Sequence, residues 1–481
     1  MSETIREMVL PGTYIEVRAE GLIGVSGIAT GNVGAVGTAS RGPLDTAVVL
    51  GSYAEAVEIF GSYDRWDPEA DTPSLTLTRT LEQVFKGGAS TVYAVRVANI
   101  AEGEEMAATA WTVRAVTPEG TEGPEVFRLA ATTPGTWAND ILRTEPATPG
   151  GRPATVKLRV GRVEETLPAA TVGELLDAAA ASRFVRVEAI ASHPTTEERG
   201  RAVHAVTRTE EGGPNGASIT GTEVAAGLDL LASEAVHILT IGGLAADEIT
   251  DEVLAHLEAT ENDGRERIAV IGTSSDVLNT VRTEASRVGN PRVVLVAPGI
   301  VADDAASPGP DRAVGLTPPY AAALVAGRLS TLAPHISLTN KDVAAGGLTR
   351  RYTRSEQKQL LDNRVLVLQE NLGFRVLKGI TTDNGPFKQI SVRRIVDYAK
   401  AGVRLGSNPY IGRLNNSRVR AALKATLDGF LSGMVLDEML QSYELDVSAT
   451  RRQEIDGQAI VTLTLRPTFS IDFIKVIMNL E

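Results

Sequence analysis

QAIVTLTLRPTFSIDFIKVIMNLE, residues 458–481, has the apolar–polar alternation of a β-strand with one buried face. Val461, Leu463 and Leu465 alternate with threonine or arginine up to Pro467. Proline cannot donate to a sheet ladder, so Pro467 marks the junction with a second run. Within that run the alternation shifts by one residue, which indicates a bulge or a change of strand partner. Its apolar residues are Phe469, Ile471 and Phe473 before the shift, and Ile474, Val476, Met478 and Leu480 after it.

This apolar end needs a partner, because an uncovered β-prone segment favours aggregation. The partner could be a strand of the same chain or of a neighbouring copy. We favour a neighbouring copy, because a second β-prone segment, Thr13–Arg18, lies near the start of the chain and contains Tyr14, Ile15 and Val17. We therefore predict two arms, residues 1–20 and 467–481, that link copies by strand addition.

Length and composition indicate a folded protein of several domains. The 481 residues are too many for a single core, and the apolar fraction of 43% and charged fraction of 22% are typical of globular proteins. With no cysteine, the chain has neither disulfides nor thiolate chemistry. The first residues include acids and have no apolar core of a secretory signal, so we expect assembly in a cytoplasm and no membrane insertion.

Charge is distributed unevenly along the chain. Residues 348–420 contain fifteen Lys or Arg and five Asp or Glu, whereas the whole chain has a net charge of −13. One interpretation is a charged interface with another copy or with an acidic partner. The other is a solvated basic face whose ion pairs form within the subunit.

Apolar runs that alternate with helical patterns predict a parallel sheet covered by helices on both faces. The strands are expected at Val236–Gly242, Ile268–Thr273 and Arg292–Ala297. The predicted fold class is multidomain α/β and α+β. It has a core domain (21–100 plus 221–347), a β-rich inserted domain (101–220) and a C-terminal α+β domain (348–466) that ends in a hairpin with Asp456-Gly457 at or beside the turn.

An α/β enzyme or nucleotide-binding protein that uses the 236–300 sheet is the alternative interpretation. The glycine-rich run 21–37 has neither of the common phosphate-loop spacings, and the histidines form no metal-binding pair. His237 is expected to be a hydrogen-bonded core histidine, and Asp303 and Asp304 are expected in a solvated loop. We therefore predict no catalytic residue, cofactor or metal.

Several stretches resemble, in the same order, the sheath protein family of contractile phage tails and phage-tail-like injection systems. They are PGTYIE (11–16), VGAVGTASRGPLDTAVVLGSYAEAVEIFG (33–61), VFKGGASTVYAVRV (84–97), TPGTWANDI (133–141) and ISVRRIVDYAKAGV (390–403). Ala138 stands where the family prefers glycine, and residues 145–215 match no part of the pattern.

The resemblance implies a non-enzymatic structural subunit. Sheath subunits stack as rings around an inner tube, and contraction drives that tube through a cell envelope. Each C-terminal domain contains a small sheet that the N- and C-terminal arms of neighbours complete. The implied partners are other copies, the inner tube protein, and baseplate and tail terminator proteins, in a virion tail or a phage-tail-like particle.

The residues expected at these contacts lie in the arms and in the basic block. The arm residues are Tyr14, Ile15, Val17, Phe469, Ile471, Phe473, Ile474 and Val476. Arg413, Arg418 and Arg420 are the hypothesised contacts to an acidic inner tube. Nucleic acid is a less favoured partner, because the chain is acidic overall and no aromatic residues are interleaved with these arginines.

Overall fold

A computed structural model describes residues 28–67, 75–99, 107–161, 163–190, 194–213, 215 and 219–479. The predicted N-terminal arm, with Tyr14, Ile15 and Val17, lies outside these residues, as does Leu480.

The strands are β1 (Val33–Gly37), β2 (Ala47–Leu50), β3 (Val92–Arg96), β4 (Ala110–Val116), β5 (Glu122–Ala131), β6 (Leu142–Pro146), β7 (Pro153–Val160), β8 (Val163–Pro168), β9 (Val185–Glu188), β10 (Val203–Glu210), β11 (Ile238–Ile241), β12 (Ile268–Gly272), β13 (Val293–Ala297), β14 (Ile300–Asp303), β15 (Ala313–Leu316), β16 (Gly347–Leu348), β17 (Val365–Glu370), β18 (Phe374–Val376), β19 (Leu440–Ser448) and β20 (Ile460–Pro467).

Helices alternate with many of these strands. They are α1 (Tyr53–Phe60), α2 (Leu77–Lys86), α3 (Val172–Ala180), α4 (Thr196–Arg199), α5 (Gly221–Ala232), α6 (Ala246–Asn262), α7 (Leu278–Arg287), α8 (Pro318–Ser330), α9 (Arg354–Asp362), α10 (Ile390–Ser407), α11 (Ser417–Leu436) and α12 (Arg451–Ile455).

The central sheet has the strand order β18-β17-β13-β12-β11-β1-β3-β2. Neighbours from β17 to β3 are parallel, and the edge strands β18 and β2 are antiparallel. Side chains of α2 and α8 belong to the apolar cluster on one face, and those of α5, α6, α7 and α9 belong to the cluster on the other. The prediction of a parallel sheet covered on both faces is thus confirmed.

Helix α8 packs unusually close to α2. A Cβ atom at Gly327 would lie 2.0 Å from the carbonyl oxygen of Val84, and one at Gly87 would lie 2.5 Å from that of Leu324. The absence of side chains at these two glycines therefore allows the backbones to approach.

The central sheet continues beyond residue 347, where we predicted the core domain to end. After β16, strand β17 pairs in parallel with β13, and β18 adds the antiparallel edge. The prediction placed the boundary where the basic block starts. The basic residues of this stretch flank the strand Val365–Glu370, whose first four residues are buried. The start of the basic block therefore does not mark the boundary of the core domain.

A separate apolar cluster supports the β-rich part of the chain. The sheet β10-β4-β5-β9 and the sheet β6-β7-β8 pack with α3 around Phe127, Leu158 and Leu175. The backbone N–H of Gly213 donates to the carbonyl oxygen of Ala107 over 2.8 Å, so this region leaves the core close to the point where it entered. This geometry is that of an insertion.

The expectation that Asp304 is solvated is wrong, whereas Asp303 is exposed. The Asp304 carboxylate is buried, accepts a hydrogen bond from the backbone N–H of Trp66 over 2.9 Å, and lies 3.4 Å from the guanidinium of buried Arg79. Trp66 and Arg79 are both more than two hundred residues from Asp304 in the sequence, so the composition around Asp304 could not indicate its burial.

Candidate assembly surface at the C-terminal module

Residues 390–467, here called the C-terminal module, consist of two packed helices and a hairpin. Helix α10 turns Ile395 and Ala399 toward Leu431 and Met434 of α11, the helical spacing of one apolar face. Helix α11 begins after Asn416, whose side chain accepts a hydrogen bond from the N–H of Val419 over 2.9 Å. The helix pair forms the support on which the hairpin rests.

Strands β19 and β20 pair antiparallel, with Tyr443 opposite Leu465 and Leu445 opposite Leu463. These four side chains pack against the cluster of α10 and α11, which confirms the predicted alternation. The connection between the strands is longer than a tight turn because it contains α12, and Gly457 follows that helix with a left-handed φ of 69°.

Within the described ranges, the outer edges of this hairpin are open. Over the residues that the structure describes, β19 and β20 pair as strands only with each other, so each leaves one row of backbone N–H and C=O groups unpaired. The inward side chains, among them Val461, Leu463 and Leu465, remain half-exposed. A two-stranded sheet is marginally stable alone, and an open edge is a template for a further strand.

The chain end does not fill these edges. Residues 468–479 follow β20 without strand pairing, so the shift of alternation predicted here corresponds to no strand within the subunit. Most of the apolar surface of this segment faces solvent. The exposed fractions are 57% for Phe469, 81% for Ile471, 84% for Phe473, 83% for Ile474 and 72% for Val476.

The Asp472 side chain in this segment contacts the body of the subunit, and the sequence analysis did not predict that contact. The Asp472 side chain is only 9% exposed and lies 3.4 Å from the Nζ of Lys378. A single carboxylate inside the run FSIDFIKVIM was the available signal. The apolar–polar alternation of the sequence did not by itself indicate a contact for Asp472.

Charged residues of the basic stretch 348–420 form ion pairs with the core of the same chain. Arg292 of the core binds the carboxylates of Glu261 on α6 and Asp397 on α10 over 2.7–3.0 Å. Lys400 adds a second cation at 2.7 Å from Glu261. Hydrogen bonds from Arg292 lower the pKa of Glu261 to about 2, so this carboxylate stays charged in mildly acidic solution. This network fixes α10 against the core.

The three arginines of the inner-tube hypothesis are not equivalent. Arg413 is exposed and lies over the ring of Tyr410, 5.3 Å from its centroid. Arg418 is also exposed, and among the described residues it has no ion-pair partner. Arg420 is half-buried, pairs with Glu454 over 3.0 Å and donates to the side-chain oxygen of Asn415. Among the described residues, Arg413 and Arg418 are thus the two arginines of the three that lack an ion-pair partner.

The alternative of an α/β enzyme gains no specific support from the described residues. His237 lies beside the start of β11, where its Nδ1 accepts a hydrogen bond from the N–H of Asn32 over 3.3 Å, and burial lowers its pKa to about 4. In the described ranges, no group of three or more His, Cys, Asp or Glu side chains is placed to hold a metal ion. No described helix has the length and apolar character needed to cross a bilayer.

Two sequence-family models match this chain. The phage tail sheath protein central domain matches residues 217–382, and the phage tail sheath C-terminal domain matches residues 382–481. Together they span more than half of the chain. A comparison with curated protein sequences finds no match.

Solved structures of similar fold include sheath proteins. A sheath tail protein from Desulfitobacterium hafniense is 16% identical, with 95% of this chain and 100% of that chain covered and a TM-score of 0.59. One from Listeria innocua is 14% identical, with 92% and 93% covered and a TM-score of 0.60. The contracted helical sheath of the anti-feeding prophage is 15% identical, with 98% and 99% covered and a TM-score of 0.57.

The support beneath the hairpin can be tested at Gly402 of α10. A Cβ atom there would lie 1.9 Å from the ring of Phe430, so we expect Gly402→Ala to reduce the free energy of unfolding by ~1–3 kcal/mol. In the matched control, Gly429→Ala on α11, the added Cβ meets nothing within 4 Å, and we expect a gain of up to ~1 kcal/mol. Urea titration followed by circular dichroism measures both. Equal stability of the two variants would contradict this account of the helix pair.

Proposed function

This chain belongs to the phage tail sheath protein family, and we propose that it is the structural subunit of a contractile sheath. In this proposal its copies polymerise as stacked rings around an inner tube, and contraction of the stack drives the tube through a target cell envelope. The observation that carries the proposal is the open-edged hairpin of β19 and β20 beside an exposed apolar chain end.

In this proposal, neighbouring copies are held together by strand addition. The chain end of one copy pairs with an open edge of another, and the N-terminal arm, residues 1–20, supplies a further strand through Tyr14, Ile15 and Val17. Burial of Phe469, Ile471, Phe473, Ile474 and Val476 contributes ~1.5–3 kcal/mol for each side chain that becomes fully buried. The total is comparable with the ~4–15 kcal/mol cost of association.

Flexible links between compact bodies suit a machine whose subunits rearrange. Two structures of similar fold, the anti-feeding prophage sheath and the PVC sheath complex, are in a contracted state. For this chain we propose the same transition, in which rigid subunits rotate while the arms keep neighbours joined. Such a role requires no catalysis and no cofactor.

The remaining partners follow from the position of the sheath in such a particle. We propose contacts with an inner tube protein through Arg413 and Arg418, with a smaller contribution from Arg420 because Glu454 already neutralises it. Baseplate proteins meet one end of the stack and a tail terminator protein meets the other. The particle is a virion tail or a phage-tail-like injection device assembled in the cytoplasm of the host or producer cell.

Removal of residues 468–481 tests the contribution of the C-terminal arm. We expect the shortened chain to keep its circular dichroism spectrum and melting temperature, because most of this segment lies outside the described apolar clusters. We expect it to form no tubes in negative-stain electron microscopy. Removal of residues 1–20 should have the same effect on polymerisation.

The control for the arm deletion is Leu372→Ser, which removes an exposed aliphatic side chain from the turn between β17 and β18. This variant should polymerise as the wild-type chain does, because strand addition does not involve that turn. Long tubes formed by either truncated chain would refute the strand-addition proposal.

The tube contact is tested by the double charge reversal Arg413→Glu and Arg418→Glu. We expect co-sedimentation with the inner tube to weaken roughly tenfold at low ionic strength, because two exposed ion pairs are worth ~1–2 kcal/mol together. The loss should shrink as salt screens the charges. The matched control is Arg354→Glu with Lys358→Glu, on exposed positions of α9. Equal tube binding by the two double variants would argue against this contact.

A further inference from the structure

Asp472 is a half-buried residue in a chain end whose large apolar residues are exposed. Its side chain is 9% exposed, whereas the neighbouring residues Ile471 and Phe473 are, as whole residues, 81% and 84% exposed. The residue therefore divides the chain end into two parts, one before and one after a point of contact with the body of the subunit.

Three side chains, here called the Asp472 socket, hold this carboxylate on its own subunit. Gln389 donates from Nε2 over 3.2 Å, Thr339 donates from its hydroxyl over 3.4 Å, and the Nζ of Lys378 lies at 3.4 Å. The Thr339 hydroxyl is itself oriented by the backbone N–H of Gly379, from which it accepts a hydrogen bond over 3.0 Å. Socket residues thus come from the segment between α8 and β16, from the segment after β18 and from the residue that precedes α10.

Two further contacts come from the chain end itself. Ser470 donates to the Asp472 carboxylate over 3.1 Å, and the Nζ of Lys378 also lies 4.9 Å from the centroid of the Phe473 ring. The cation therefore meets both the carboxylate and the aromatic ring that follows it. Together these contacts fix the direction in which the chain leaves the socket.

We propose that Asp472 stays in this socket when copies assemble, so that the strand given to a second copy begins at Phe473. Residues 468–472 are then a tether that remains on its own subunit. This inference rests on the proposed function, and it adds the point at which the arm leaves the subunit.

Strand alternation supports a start after Asp472. In a continuous strand Asp472 would share a face with Ile474, Val476 and Met478, since successive side chains point to opposite sides. That face is the apolar one that packs on a partner, and a carboxylate buried there without hydrogen bonds is costly. With Asp472 held in its socket, the apolar face begins cleanly at Ile474.

The length of the remaining segment also fits. Residues 473–481 are nine residues, or about 30 Å of extended chain at ~3.3 Å per residue. Strand β20 has eight residues and therefore spans about 26 Å. The segment beyond the socket is thus long enough to span the whole open edge of a second copy.

Zero-length cross-linking tests the inference on the unmodified chain. A carbodiimide joins the Lys378 amine to the Asp472 carboxylate as an amide, and peptide mass spectrometry identifies the joined peptides. Sheath assembled from equal amounts of ordinary and ¹⁵N-labelled chain should yield only pairs of peptides with the same label. Free subunits serve as the reference, because the two groups lie 3.4 Å apart in the single chain.

Two cross-linking outcomes would overturn the inference. Pairs that combine a labelled and an unlabelled peptide would place Asp472 in the socket of a neighbour. Loss of the cross-link on assembly would mean that the arm leaves the body before Asp472. Both outcomes require that tubes form, so they are distinct from failure of the proposed function, in which the wild-type chain forms no tubes.

A substitution provides a second, independent measurement. Asp472→Asn removes the charge held by Lys378 and frees residues 468–472, which then form a flexible linker of five residues before the strand that begins at Phe473. A flexible linker lowers the effective concentration of the strand at its partner's edge, so the subunit concentration in equilibrium with tubes should rise at least about twofold. The control is Asp177→Asn, an exposed carboxylate of α3 that lies 2.7 Å from Arg199, away from the hairpin. The same equilibrium concentration for both variants would contradict the inference.

Discussion

The open edges of the β19–β20 hairpin are the feature on which the rest of the account depends. Backbone N–H and C=O groups are obligatory hydrogen-bonding partners, and two strands satisfy only half of the groups that a sheet offers. Across the described ranges of this chain, no third strand joins the pair. The half-exposed apolar side chains beneath it are likewise incompletely covered. A second copy can satisfy both needs at once.

The remainder of the subunit is built as a rigid support for this surface. The central sheet is buried on both faces, and α8 approaches α2 through Gly87 and Gly327, which leaves little freedom in the core. The C-terminal module is joined to that core through charges, with Arg292 between Glu261 and Asp397. Apolar packing thus makes the core and the C-terminal module compact, and the ion pairs of Arg292 hold the module against the core.

Much of this architecture could be predicted from the sequence, because the relevant signals are local. Continuous apolar runs such as Arg292–Ala297 indicated buried parallel strands, and the alternation of Val461, Leu463 and Leu465 gave the correct inward face of β20. Contacts between distant residues could not be inferred in this way. Asp304 depends on Arg79, and Asp472 depends on Thr339, Lys378 and Gln389, so neither burial was visible from neighbouring residues. The basic block was misinterpreted for a related reason, since Lys400 and Arg404 pair with Glu261 and Glu266, which precede them by more than a hundred residues.

Hydrogen exchange at the hairpin tests the central claim most directly. In free subunits, the outward-pointing amides of β19 and β20 should exchange quickly with deuterium, because they have no partner strand. In assembled tubes the same amides, and those of residues 473–479, should become strongly protected. Slow exchange of the outward amides already in the free subunit, or unchanged fast exchange in tubes, would contradict the claim that copies are joined by completing each other's sheets.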